Sequence, residues 1–135
     1  MANVFNRGKF IALSFDMDAI DIRATLISDA YSFDVDDNFV VDLGTGAPDR
    51  LGTDYTILSE AIVEDDTNDI AYVDCADPVW SAVAGGATVH GCVMHKFVTN
   101  DSDSDVICFV DVTNTATNGG DITINIAALG FLQLT

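Results

Sequence analysis

Asn118-Gly119-Gly120-Asp121-Ile122-Thr123-Ile124-Asn125-Ile126 joins turn chemistry to a two-residue alternation of apolar and polar side chains. Two glycines after an asparagine admit positive φ, and the alternation that follows is that of a half-buried strand. Such a strand places Ile122, Ile124, Ile126 and Ala128 on one face and Thr123, Asn125 and Ala127 on the other. Working outward, the same texture recurs along the chain. Ile20, Ile22, Ala24 and Leu26 alternate with Asp21, Arg23, Thr25 and Ile27, which predicts an early strand. Thr88 to Val98 and Val106 to Val112 are rich in β-branched and aromatic residues and are joined by Thr99-Asn100-Asp101-Ser102-Asp103-Ser104-Asp105, all turn formers. That arrangement predicts a hairpin with a long acidic tip.

Between these landmarks, Tyr55 to Val63 reads as one or two strands and Ile70 to Cys75 as another, with a turn over Glu64 to Asp69. Asp36 to Leu43 fits either a short helix capped by Asp36 or a strand. The stretch from Gly44 to Gly52 reads as loop, and Thr113 to Gly120 as a polar loop. Pro78 sets Val79 to Val83 apart as a short edge element. At the N-terminus Val4, Gly8, Ile11 and Phe15 recur on one helical stripe, and Asn3 stands at the N-cap position. The expected fold is mainly β, an antiparallel β-sandwich or partly open barrel with a short N-terminal helix. Residues 1–16 form the helix or arm and residues 17–135 the β-rich body of a single domain.

The chain has 135 residues, 22 of them acidic against 5 basic, for a formal net charge of −17. A surface so poor in Lys and Arg disfavours direct nucleic-acid binding and anionic membranes. A positive mean hydropathy argues against wholesale disorder. Nearly all the acid is Asp, with Glu only at 60 and 64, which places the charge on turns between strands. The plain reading is a solvated surface that keeps the protein soluble; the sharper one is a surface that depends on cations. Cys75, Cys92 and Cys108 include no C-x-x-C pair and read as small core residues. The apolar run from Phe10 to Phe15 is shorter than a secretory or membrane-spanning segment, so a whole chain folded in a reducing cytoplasm is expected.

Chemistry-bearing patterns are weak. Asp101-x-Asp103-x-Asp105 has the spacing that opens a calcium loop, but Val106 replaces the glycine and Val112 stands where a bidentate Glu belongs. His90, Cys92 and His95 invite a zinc reading, yet strand alternation puts His90 and Cys92 on one side and His95 on the other. No G-x-S-x-G or H-E-x-x-H occurs, and Gly44-x-Gly46 and Gly85-Gly86 lack a phosphate-loop lysine. Trp80 reads as core. Neither a catalytic residue nor a metal or cofactor is assigned.

Ala2-Asn3-Val4-Phe5-Asn6-Arg7-Gly8-Lys9, the strand Ile20 to Leu26, the hairpin Cys92 to Val112 and the closing Asn118 to Ile124 together resemble small structural proteins of tailed bacteriophage virions. The resemblance runs through most of the chain in order. From Asp34 to Trp80 it is one of texture, and after Ile124 the sequence departs from the family. It implies a non-enzymatic capsid decoration or cement protein, assembled in the host cytoplasm and bound in many copies to the outer capsid surface. The implied partners are the major capsid protein and further copies of this chain, a trimer suiting three-fold positions. Within the N-terminal helix, Arg7 and Lys9 would meet an acidic shell while Val4 and Phe5 bury against it. The alternatives are a neck, tail or fibre component of the same virion and, from another class, a glycan-binding domain.

Overall fold

The computed structural model describes residues 3–7, 20–44 and 49–135. Ten strands lie along them: β1 (Asn3–Val4), β2 (Ile22–Ser28), β3 (Arg50–Thr56), β4 (Ala61–Asp65), β5 (Ile70–Asp74), β6 (Val79–Trp80), β7 (Thr88–Lys96), β8 (Asp105–Ala116), β9 (Ile122–Thr123) and β10 (Leu132–Leu134). They form a five-stranded sheet ordered β1-β8-β7-β2-β3, a three-stranded sheet ordered β10-β5-β4 and a two-stranded β6-β9 ribbon. Every pairing is antiparallel, and the sheets do not close into a barrel.

The predicted hairpin is the spine. β7 and β8 pair from Thr88↔Ala116 to Lys96↔Asp105, and β2 pairs with β7 from Ile22↔Lys96 to Ser28↔Val89. One face of this block carries Ile22, Ala24, Leu26, Cys92, Met94, Ile107 and Cys108, all fully buried. They pack with Val73, Phe131 and Leu132 of the three-stranded sheet and with Trp80 and Ile124 of the ribbon region. The opposite face presents Ile27, Val93, Val106 and Phe109, covered by Phe5, Tyr31, Val40 and Leu43. Both faces are thus dry along β2, most of β7 and the first half of β8, which accounts for the near-continuous apolar run at Ala24 to Ile27.

Residues 3–5 differ from the helical expectation, and helical conformation begins only at Asn6 and Arg7, the last described residues of that stretch. Asn3 and Val4 are a strand on the edge of β8, opposite Phe109 and Cys108, rather than the cap and first turn of a helix. Val4 packs on the first core, whereas the adjacent Phe5 is fully buried in the second. Successive side chains on opposite faces are the mark of an extended chain. The unpaired edge of β8 offers backbone hydrogen bonds that outweigh a local helical period, and no helix of seven or more residues occurs among the described residues. Gly8, Lys9, Ile11 and Phe15, the rest of the predicted helix, lie outside the described residues, as do 45–48 of the predicted loop.

Other boundaries also shift. Arg50 to Gly52, expected as loop, opens β3. Asp36 to Leu43 is neither a helix capped by Asp36 nor a strand. Phe39 makes an isolated bridge to Asp105, and Val40–Leu43 is a 3₁₀ turn. The Asp42 carboxylate accepts the backbone N–H groups of Asn38 and Phe39 at 3.0 and 2.9 Å. Residues Thr113 to Ala116 extend β8 instead of looping away.

Asn118 to Asp121 works as a clamp. The Asp121 carboxylate accepts the Ala82 N–H at 2.9 Å, Val83 N–H donates to the Gly120 carbonyl, and Gly119 N–H donates to that of Val83. This ties the segment to the loop after β6, and Ile122 and Thr123 then pair with Trp80 and Val79. The predicted alternation holds as far as Ile126, with Ile124 buried and Thr123 and Asn125 exposed, but Ala128 is exposed. The chain turns again at Gly130 to form β10 beside β5. Gly130 has φ +73°, and a Cβ there would stand 2.1 Å from the Val73 carbonyl oxygen, so only glycine allows that approach.

Because Phe5 fills the second core completely, Phe5→Ala is expected to cost about 3–5 kcal/mol in chemical denaturation. A loss under about 1 kcal/mol would show that residues 3–7 are a detachable arm.

Candidate interaction surface

The polar cluster that the sequence did not reveal lies at the edge of the five-stranded sheet. Between Ala24↔Tyr55 and Leu26↔Leu51, β3 spends four positions where β2 spends two. Gly52, at φ +67°, lets that bulge form. The surplus residues swing Asp54 onto β2 and β7. Thr25 Oγ1 donates to Asp54 Oδ1 at 2.7 Å, and His95 Nε2 lies 3.4 Å from Oδ2. Arg50 reaches both Asp54 and Asp101, tying the bulge to the acidic hairpin tip. Burial raises the Asp54 pKa, but the hydrogen bonds from His95 and Thr25 and the charges of His95 and Arg50 outweigh it and hold the carboxyl at about 2. Because Arg50 to Gly52 reads as loop in sequence, no local signal marked Gly52 as the site of a bulge within a strand.

Asp101, Asp103 and Asp105 do not converge. Asp101 binds Arg50, Asp105 Oδ1 accepts Arg7 Nε at 2.7 Å, and Asp103 Oδ1 accepts the N–H groups of Thr99 and Asn100 at 3.1 and 2.8 Å. Asp103 thus shapes the loop itself, while Asp101 and Asp105 tie it to β3 and to the N-terminal segment. Among the described residues no group of three or more His, Cys, Asp or Glu side chains is arranged to hold a metal ion.

The register shift between Val89 and Gly91 corrects the expected facing of His90 and Cys92. Cys92 lies in the first core, while His90 packs its ring 5.2 Å from Phe109 of the second and sets Nε2 3.3 Å from Asp111 Oδ1. Gly91 is required at this bulge, since a Cβ would stand 2.1 Å from the Val110 carbonyl oxygen. All three cysteines are free and line the first core. Burial drives the Cys92 and Cys108 thiols far above their ordinary range and pushes Cys75, with help from Asp74, up to about 12. Trp80 is core as expected: its Nε1–H donates to the Thr53 carbonyl at 2.9 Å and its ring lies 5.7 Å from Tyr55.

Of the four residues assigned to partner contact, Phe5 is withdrawn into the body and Val4 is half-buried against it. Phe5 is therefore a structural anchor and not a free contact. Arg7 remains at the surface, 36% exposed, paired with Asp105 and lying over the Phe39 ring at 5.7 Å. Lys9 lies outside the described residues. The other two described arginines are also engaged within the chain: Arg50 as above, and Arg23 with Asp21 at 2.9 Å and over Phe97 at 3.5 Å. The resulting exterior is acidic, with exposed apolar side chains at Leu58, in the link before β4, and at Ile62 on β4. No protein-family model, curated protein or solved structure matches the chain.

The Asp54 cluster carries a pH signature. A carboxyl whose folded pKa is depressed contributes stability above its unfolded value, near 4, that is lost as pH falls through about 2. Asp54→Asn is expected to lower stability at neutral pH by about 1–3 kcal/mol and to converge with the unaltered chain between roughly pH 4 and pH 2. A constant offset over that range, measured by denaturant titration, would contradict it. The thiols give a second check: Cys92 and Cys108 should resist a disulfide reagent in the native protein, and all three should react in denaturant. Fast native labelling of Cys92 or Cys108 would contradict their burial.

Proposed function

We propose that this chain is a virion structural protein, a capsid decoration or cement protein that binds the outer surface of a shell in many copies and stabilises it. The likeness of its two ends and central hairpin to small tailed-phage structural proteins motivates the reading. The acidic exterior supports it: with 22 acidic and 5 basic residues the net charge is −17, and the described arginines each neutralise carboxylates of the same chain. Packaged DNA repels such a body, which suits it to the outside of a shell. A sheet covered on both faces, with its N-terminal strand stitched to β8, suits a part that must remain rigid while bound.

The proposed partners are the major capsid protein and further copies of this chain. With Phe5 committed to the core, Arg7, 36% exposed while paired with Asp105, is the charged residue of the proposed N-terminal contact among the described residues. Arg7→Gln is expected to weaken binding to undecorated shells several-fold in co-sedimentation, with thermal unfolding of the free variant separating a lost contact from the lost Arg7–Asp105 pair. Undiminished binding would remove Arg7 from the contact. Failure of the unaltered protein to bind any shell, together with binding to a glycan array, would overturn the decoration reading in favour of a glycan-binding domain.

A further inference from the structure

We infer that the folded state of this chain is built for concentrated salt, with a diffuse layer of monovalent cations holding together a surface that repels itself in dilute buffer. Three observations converge on this. First, the chain carries 20 Asp and 2 Glu against 3 Arg and 2 Lys, so acid outnumbers base by more than fourfold. Second, the structure leaves the described arginines little freedom to offset that excess: Arg7, Arg23 and Arg50 are bound to Asp105, Asp21, Asp54 and Asp101.

Third, the remaining acid is crowded rather than spread. Asp34, Asp36, Asp37 and Asp42 stand in one turn region, and Glu64, Asp65, Asp66 and Asp69 share the β4–β5 turn. The crowding is felt at Asp37, whose carboxyl is pushed above its ordinary range, first by burial and further by the charges of Asp34, Asp42 and Asp36, against the lowering effect of the Tyr31 hydrogen bond. Many of these carboxylates are also fixed as turn acceptors. Asp65 accepts the N–H groups of Thr67 and Asn68, Asp42 those of Asn38 and Phe39, and Asp34 that of Asp36. Such side chains cannot swing apart to relieve repulsion without losing their turns.

Unfolding spreads these charges over a larger volume, so repulsion favours the unfolded chain wherever it is unscreened. The screening length falls from about 10 Å at 0.1 M salt to about 3 Å at 1 M. Neighbouring carboxylates in one turn therefore cease to act on one another only in the molar range. This is a field effect of the whole surface and requires no binding site.

The test is thermal unfolding of the full chain in NaCl from about 0.05 M to about 2 M, repeated in KCl and in choline chloride at matched ionic strength. The same series is run on a variant in which four exposed carboxylates are neutralised, Asp29→Asn, Glu64→Gln, Asp66→Asn and Asp69→Asn. A midpoint rising by about 10 °C or more across the series, alike for the three salts, is expected. The variant should melt higher in dilute buffer and lose roughly 40% of the salt dependence, since self-repulsion grows with the square of net charge.

A midpoint that stays flat with salt overturns the inference. So does an equal salt slope in the variant, which would assign the effect to strengthened apolar burial. Saturation by millimolar Ca²⁺ or Mg²⁺, reversed by a chelator, would also overturn it in favour of a specific divalent site. If the four substitutions were to prevent folding, the smaller variant Asp29→Asn with Asp66→Asn takes their place: a salt dependence lower by roughly a fifth supports the inference and an equal slope removes it.

Discussion

The antiparallel block of β2, β7 and the first half of β8, dry on both faces, is the constraint on which the other elements depend. Its two apolar faces each need a cover, and the chain supplies two different ones. The three-stranded sheet and the β6-β9 ribbon close the first face, with Val73, Phe131 and Leu132 as the contact. Shorter irregular segments bring Phe5, Tyr31, Val40 and Leu43 to the second. Neither cover has a broad ladder to the block. What holds the covers is side-chain burial together with single backbone bonds such as Phe5 N–H to the Ile107 carbonyl. An edge pair of two residues, β1 on β8, consequently matters more than its length implies, because the residue that follows it fills a core.

Much of the architecture was legible from local chemistry. The β7-β8 hairpin could be read because its flanks are β-branched and aromatic while its link consists of turn formers, and hairpin pairing needs only neighbours in sequence. β5 was legible for the same reason. Asn3 to Phe5 were misread because their conformation is decided by an edge far along the chain, and a helical stripe in the sequence cannot register that edge. Asn118 to Asp121 carried an unmistakable turn signal, but its partner is the loop at Ala82 and Val83, which no local pattern names. The Asp54 cluster was hidden for a related reason: bulges reassign side chains to faces, and strict alternation misplaces every residue beyond one. His90 and Cys92 show the consequence, facing opposite cores despite being two residues apart.

The excess of aspartate has two physical roles. Locally, a short carboxylate can close a turn by accepting the amides one to four residues away, as at Asp65, Asp103 and Asp42, and glutamate reaches less well. Globally, the same residues make a field that the described arginines are too few and too occupied to balance. The first role explains why the acid is Asp; the second makes the exterior hostile to DNA and receptive to a partner or medium of opposite charge. A doubly covered sheet with such an exterior is compatible with the proposed place on the outside of a shell.

The most direct measurement of the proposed role is the number of copies of this chain per major capsid protein in purified particles. Hundreds of copies per particle, in a fixed simple ratio to the capsid lattice, are expected of a decoration protein. A small multiple of three or six would place the chain at the neck, tail or fibre, and absence from the particles would contradict a virion role altogether.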